Sequence, residues 1–285
     1  MPKNITIAER IADVRTYVER WRASDETVAL VPTMGALHDG HLSLVRMAKE
    51  KADRVVVSIF VNPSQFAPNE DFDSYPRERE KDLEKLSGLG VDLVFAPPRE
   101  EVYPQGFATR VIVEGLTEGL CGASRPHFFG GVATVVAKLL NQCRAHYAIF
   151  GEKDYQQLLV IRRMARDLDI DTQILGGAIV REPDGLAMSS RNAYLSPEER
   201  EIAPLLHETL SQAATALASG TKTEAVIPEG LETLSRAGFR VDYFEVRDGE
   251  TLQPVKDEAD SAARVFGAVF LGKTRLIDNV PLPGS

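Results

Sequence analysis

Strand-like and helix-like segments alternate along this chain up to about residue 180, and that alternation restricts the fold more than any single residue does. Residues 27–31 form a short apolar run, Thr27-Val28-Ala29-Leu30-Val31. The run breaks at Pro32 and Gly35, after which Leu42, Val45 and Ala48 recur at the helical spacings of three and four. Residues 55–61 are apolar almost throughout, as expected of a parallel strand covered on both faces. The pattern then predicts a helix over 78–89, closed by Gly90, a strand over 91–96 and a shorter strand over 109–113. A helix over 132–142, a strand over 147–150, a helix over 155–168 and a strand over 173–180 follow. Repeated βαβ units of this kind predict an α/β, doubly wound parallel sheet. Ligands then lie at the C-terminal ends of its strands.

The order changes after Arg181-Glu182-Pro183-Asp184-Gly185. A long helix is expected to open at Ser196-Pro197-Glu198-Glu199, which combines an N-cap, a proline at the first helical position and acidic early residues. A second helix is expected over 223–237, and strands over 239–246, 263–271 and 274–277. Helices followed by antiparallel strands predict a second, smaller α+β domain. The expected division is 1–182 and 183–285, and 285 residues suffice for two cores. Net charge is −9 and no Lys/Arg-rich run is present, which argues against nucleic acid as the main partner. Cys121 and Cys143 form no disulfide framework and no Cys-x-x-Cys pair, which fits a reducing, cytoplasmic setting. No apolar run is long enough for a membrane span, and residues 1–10 do not read as a signal peptide.

Four polar stretches carry the chemistry. The first is Met34-Gly35-Ala36-Leu37-His38-Asp39-Gly40-His41, which sits where a predicted strand turns into a helix. Free backbone N–H groups and the positive end of the helix dipole favour phosphate there. The His pair alone would also fit zinc or an incidental cap, but no third ligand stands at a recognisable spacing. The second is Phe150-Gly151-Glu152-Lys153-Asp154-Tyr155-Gln156-Gln157, which again follows a strand and opens a helix. Lys153 can place a point charge on a phosphate, and Gln157 stands three residues after Asp154 on one helix face. The third, Met188-Ser189-Ser190-Arg191-Asn192, is a polar loop with one fixed cation. The fourth, Val61-Asn62-Pro63-Ser64-Gln65-Phe66, delivers the neutral amide of Gln65 to a strand end, where it suits a hydroxy acid.

The His-x-Gly-His turn resembles the nucleotide-binding signature of an adenylyl-transferring superfamily. Met188–Arg191 resembles the loop that closes over the triphosphate in that superfamily. Taken together and in this order, the four stretches resemble the pantothenate synthetase (pantoate–β-alanine ligase) family over essentially the whole chain. The resemblance implies a Rossmann-like N-terminal domain, a C-terminal lid and a cytoplasmic homodimer. It implies ATP-dependent condensation of (R)-pantoate with β-alanine through a pantoyl adenylate, with AMP and pyrophosphate released and Mg²⁺ accompanying ATP. On the same ground, Met34, Gly35, Ala36, Leu37, His38, Asp39, Gly40 and His41 form the first ATP-binding turn. Gly151, Glu152, Lys153, Asp154, Val180, Met188, Ser189, Ser190 and Arg191 complete the nucleotide site. His41 is the implied proton donor, and His38, Lys153 and Arg191 are the other implied catalytic groups. Gln65 and Gln157 would hold pantoate, and Gln65 also meets β-alanine.

The family often reads Arg-Pro-x-His-Phe-x-Gly-Val in its middle, whereas this chain reads Arg125-Pro126-His127-Phe128-Phe129-Gly130-Gly131-Val132. The histidine stands one place early, so the family role does not carry over to His127. Metal ligands stay open, with Asp71 and Asp73 as acidic candidates near Gln65. The alternative activity is a nucleotidyltransferase that moves AMP onto a phosphorylated small molecule and leaves it there.

Overall fold

A computed structural model describes residues 5–67, 72–73, 75–256, 259 and 262–284. The chain divides into two compact units. The first takes the chain to Gly115 and adds Arg125–Glu152 and Gln157–Ala178. The second holds Ile179–Ser285 together with two upstream segments, Leu116–Ser124 and Lys153–Gln156.

In the first unit, β1 (Thr6–Ala8) leads to α1 (Ile11–Arg22), and β2 (Val28–Thr33) to α2 (Asp39–Lys51). Strand β3 (Arg54–Ile59) is followed by α3 (Arg79–Gly88), and β4 (Leu93–Phe95) by α4 (Arg99–Val102). After α5 (Cys121–Ser124), which belongs to the second unit, come α6 (Phe128–Cys143), β5 (Tyr147–Gly151), α7 (Tyr155–Asp167) and β6 (Gln173–Gly177). The six strands form one parallel sheet in the order β1-β4-β3-β2-β5-β6. Strand side chains alternate between faces. Ala29, Val31, Val55 and Val57 pack with Leu44, Val45 and Ala48 of α2 and Leu86 of α3. Val28 and Leu30 point to the other layer and are fully buried, and α1 and α6 lie against β2. This is the doubly wound parallel sheet that the alternation implies, Rossmann-like as the resemblance implies.

Two details differ from the sequence pattern. Pro32 does not end β2, which runs on to Thr33 beside β3. It is tolerated because β2 pairs with β5 only at Ala29 and Leu30. The proline's missing N–H therefore falls where that ladder has already stopped. The expected strand over 109–113 is absent. Its β-branched residues meet no sheet edge: Ile112 is 71% exposed, and the Val111 N–H donates to Thr134 Oγ1 of α6 at 2.9 Å. Both cysteines are free and buried, and burial pushes the Cys143 thiol up to about 12.

The second unit contains α8 (Pro197–Ile202), α9 (Leu205–Ala218), α10 (Thr223–Arg236) and three antiparallel strands, β7 (Arg240–Asp248), β8 (Ala263–Leu271) and β9 (Thr274–Pro281). The single long helix expected from Ser196 is two helices, because Pro204 has no N–H to continue the ladder. Its start is as expected. Ser196 Oγ accepts the Glu199 N–H at 3.2 Å, and the Glu199 carboxylate accepts the Ser196 N–H at 2.9 Å. Leu206, Leu210 and Leu217 of α9 and Val226 and Leu234 of α10 bury against Phe244, Val265, Val269 and Leu276 of the sheet. Strand β9 runs past the expected end at Ile277 through Asp278 and Asn279, both buried. Among the described residues, no helix is long and apolar enough to cross a membrane.

Candidate active site

In the first unit the strand order reverses between β2 and β5, and the short β2–β5 ladder leaves their C-terminal ends apart. A crevice at that position is where doubly wound sheets bind ligands. The predicted histidine turn follows β2, while Gly151 ends β5 and Glu152 follows it. Thr33 Oγ1 donates to the Ser58 carbonyl at 2.8 Å and receives the Gly35 N–H at 3.3 Å, turning the chain out of the sheet. Gly35 has φ +83°, and a Cβ there would stand 3.1 Å from Asp82 Oδ2. That carboxylate, buried on α3, receives the N–H groups of Ala36 (2.9 Å) and Leu37 (2.8 Å). Lys85, one turn later, donates to the Leu37 carbonyl at 2.5 Å. The turn is thus gripped from below before α2 begins.

His38 caps α2 with extended backbone, φ −126° and ψ 175°, and its carbonyl accepts the His41 N–H at 2.8 Å. The His38 N–H donates to His41 Nδ1 at 3.4 Å, and the two rings lie 4.0 Å apart at 42°. With Nδ1 acting as acceptor, neutral His41 carries its proton on Nε2. Both imidazoles are half-buried, whereas Asp39 is exposed. Met34 and Gln65, distant in sequence, meet: Gln65 Nε2 donates to Met34 Sδ at 3.0 Å.

Gln65 ends a 3-10 turn, Pro63–Gln65. Asn62, 1% exposed, fixes that turn and its side chain. Its Oδ1 receives Ser64 Oγ at 2.8 Å and the Tyr103 hydroxyl at 2.8 Å, while its Nδ2 donates to Gln65 Oε1 at 3.1 Å and to the Gly131 carbonyl at 3.2 Å. The Gln65 amide is therefore oriented with its oxygen on Asn62 and its N–H₂ toward Met34. Burial pushes the Tyr103 phenol above its ordinary value, so it remains a donor. A Cβ on Gly131 would stand 2.3 Å from the Ser64 carbonyl oxygen, so α6 can approach this turn only with glycine there.

The second unit holds the other predicted set. Backbone pairing of Met188 N–H with the Val180 carbonyl at 3.0 Å, beside an Arg181–Ala187 bridge, closes a hairpin that presents Met188, Ser189, Ser190 and Arg191. Ser189 Oγ receives the Arg191 N–H at 3.3 Å and starts the 3-10 turn Ser190–Tyr194. Lys153 and Ser189 line one small pocket, with Ala187, Asn192, His207 and Asp278. Arg181 forks onto buried Asp278 at 2.6 and 3.1 Å, and His207 Nδ1 lies 3.6 Å from the same carboxylate. Burial and the Arg181 charge hold the His207 pKa below its ordinary value, with Asp278 opposing.

Of the remaining predicted residues, Gln157 is half-buried in the first turn of α7 and belongs to the first unit, and Asp154 is half-buried in the second. His127 precedes α6 and is exposed, while Phe128, at the next position, lies under the Arg125 guanidinium at 3.9 Å from its ring centroid. Asp73 is exposed, and Asp71 lies outside the described residues. Asp82, Asn62, Tyr103, His207 and Asp278 were not singled out as site residues from sequence. Asp82 did carry a signal: it stands one helical turn before Leu86, a charge on an otherwise apolar stripe.

Comparison with known proteins agrees with this geometry. A family model described as pantoate-beta-alanine ligase matches residues 6–281. A pantothenate synthetase of Bradyrhizobium sp. (strain BTAi1) is 54% identical over 281 residues, covering 98% of this chain and 99% of the relative. The crystal structure of pantothenate synthetase from Thermus thermophilus matches with TM-score 0.92 and 47% identity, over 98% of this chain and 99% of that one. That of the pantoate-beta-alanine ligase from Francisella tularensis, solved with beta-gamma ATP and beta-alanine, matches with TM-score 0.82 and 35% identity over 99% of each chain. A histidine turn at the switch point of a doubly wound sheet, a glutamine amide held against it and full-length similarity of this degree have one reading: the chain belongs to the pantoate–β-alanine ligase family.

Proposed function

We propose that this protein joins (R)-pantoate to β-alanine with cleavage of ATP to AMP and pyrophosphate, through a pantoyl adenylate. The observation that carries the reading is the His38–His41 turn at the end of β2, with the Gln65 amide held within hydrogen-bond distance of Met34 in the same turn. An imidazole Nε2–H and the positive N-terminal end of a thirteen-residue helix suit the charge that builds on the α-phosphate. The Gln65 N–H₂ suits the carboxylate and hydroxyl oxygens of pantoate, with Gln157 as its partner, and the same amide meets β-alanine. The first unit therefore supplies Met34–His41, Gly151 and Glu152 toward ATP. Lys153, Asp154, Val180, Met188, Ser189, Ser190 and Arg191 supply the cations, hydroxyls and backbone that answer the departing pyrophosphate. The Francisella relative, solved with beta-gamma ATP and beta-alanine, supports ATP and β-alanine as the substrates.

In the first step a pantoate carboxylate oxygen attacks the α-phosphorus, and the bond to the pyrophosphate oxygen breaks. In the second, the β-alanine amine attacks the activated carbonyl, AMP leaves, and the amine proton is lost. His41 and His38 act on the first step. Among the described residues no three His, Cys, Asp or Glu side chains gather to hold a metal ion. Mg²⁺ enters the proposal as part of the ATP complex, neutralising phosphate charge, as is usual where phosphates supply most of its ligands. The adenylate is labile to water, which gives residues 183–285 a purpose as a lid. A cytoplasmic homodimer completes the proposal.

Product analysis with ATP, pantoate and β-alanine, omitting each in turn, tests the reaction. Pantothenate and free AMP should appear only with all three. Labelled pyrophosphate should exchange into ATP with pantoate alone. Exchange that needs β-alanine counts against the ordered scheme, and AMP retained on the acceptor would indicate the nucleotidyltransferase instead.

A further inference from the structure

Lys153 is held from the small sheet rather than only by its own loop. Asn279 of β9, 2% exposed, donates from Nδ2 to the Lys153 carbonyl at 3.1 Å. Its Oδ1 receives Arg264 Nε of β8 at 2.9 Å. The Arg264 guanidinium in turn lies 3.8 Å from the centroid of the Tyr155 ring, two residues beyond Lys153, and that ring packs on Phe266 at 6.1 Å. Gln156 adds a third grip, donating to the Leu116 and Gly119 carbonyls at 2.8 and 2.9 Å and receiving the Cys121 N–H at 3.1 Å. Next to Asn279, Asp278 receives the Asn279 N–H at 2.8 Å and lines the same pocket as Lys153 and Ser189.

A buried amide and a nearly buried guanidinium are costly to desolvate, and the same shape could be filled with apolar side chains. What they provide is geometry. With its carbonyl tied and Tyr155 clamped, the Lys153 backbone cannot drift, and only side-chain torsions set the position of Nζ. A cation that stabilises a leaving group works through its position, and displacement of about 1 Å can cost about 10²-fold in rate.

We propose that Asn279 and Arg264 are positioning residues for Lys153: the Arg264–Asn279 pair fixes the Lys153 backbone so that its ammonium is preorganised for the anionic leaving group of the first step. This rests on the ligase reading above, and it assigns β8 and β9 a part in adenylation through Lys153 without contact with substrate.

The test is a double-mutant cycle read in half-reactions. Asn279→Asp keeps the shape and the acceptor for Arg264 but places an oxygen against the Lys153 carbonyl in place of the donor. Pyrophosphate exchange with saturating ATP and pantoate should fall about 10–100-fold, while attack of β-alanine on preformed pantoyl adenylate changes less than about threefold. In a Lys153→Ala background, Asn279→Asp should cause little further loss, because the two residues act as one unit. An equal loss in both backgrounds, equal slowing of both half-reactions, or exchange within about twofold of wild type overturns the proposal. If Asn279→Asp does not fold, as judged by circular dichroism, Arg264→Lys carries the same cycle: it keeps the charge and loses the planar stack on Tyr155. Wild-type protein that shows no exchange at all removes the ligase reading and this proposal with it. Normal wild-type exchange with an unaffected variant removes only the proposal.

Discussion

The His41 ring receives the His38 N–H at Nδ1, which leaves Nε2–H as the neutral ring's donor. His127 has no comparable arrangement; it stands exposed before α6. His41→Ala should therefore lower the single-turnover adenylation rate by roughly 10²–10³, the scale for losing one electrostatic donor. His127→Ala should lower it far less. Side-by-side kinetics decide the matter, and an equal effect on that rate constant would assign His127 the larger role. Lys153→Ala belongs with His41→Ala in magnitude. Asp82 shows what a residue without reacting atoms contributes, since its buried carboxylate spends both oxygens on the Ala36 and Leu37 N–H groups.

Helix α6 and the turn after β3 form a joint whose closeness depends on one missing side chain. Gly131 lies where any Cβ would strike the Ser64 carbonyl. Gly131→Ala should destabilise the protein by about 1–3 kcal/mol through overpacking and raise the KM for pantoate by tilting the Gln65 turn. Denaturant titration and initial-rate kinetics measure both. A stable variant with unchanged KM would show that the turn is not set by α6. The start of β2 has a second joint at His146, whose Nδ1 receives the Val28 N–H at 2.9 Å. Burial, then the nearby Arg22 charge, hold the His146 pKa below its ordinary value. Its contribution to stability is complete above the unfolded-state pKa and is lost as pH falls through that value toward the lower folded one. Denaturation free energies measured from pH 7 to pH 5 should fall less steeply in His146→Asn, whose amide oxygen can still accept the bond. An unchanged slope would place the acid sensitivity elsewhere.

At the scale of the whole molecule, the two units divide the proposed ATP set. The histidine turn belongs to the first, and Lys153, Ser189 and Arg191 belong to the second. The second unit takes Lys153–Gln156 out of the middle of the chain, so its membership does not follow sequence order. Arg191→Lys keeps charge and loses the planar fork, and so should not be silent. If Arg191 serves pyrophosphate departure, adenylation should slow more than attack of β-alanine on preformed adenylate. Equal slowing of both steps in rapid-quench experiments would indicate general damage to the second unit.

The sequence by itself determined the layered α/β plan, the change of plan after residue 181 and the four polar stretches. These are local properties: an apolar run of strand length, a helical spacing of apolar residues, a glycine beside a histidine pair. Local pattern also failed where a partner was needed. Residues 109–113 are suited to a strand but find no edge to join, while Asp278 and Asn279 are poor strand formers that β9 retains because Arg181 and Arg264 satisfy them. Only the tertiary structure decided that Tyr103 and the Gly131 carbonyl hold Asn62 and so orient the Gln65 amide, that Asp82 braces the histidine turn from α3, and that the Lys153 carbonyl is held from β9. Each of these depends on a hydrogen bond whose donor and acceptor lie on different elements or different turns. Its direction is set by how those pieces pack, which residue spacing alone does not encode.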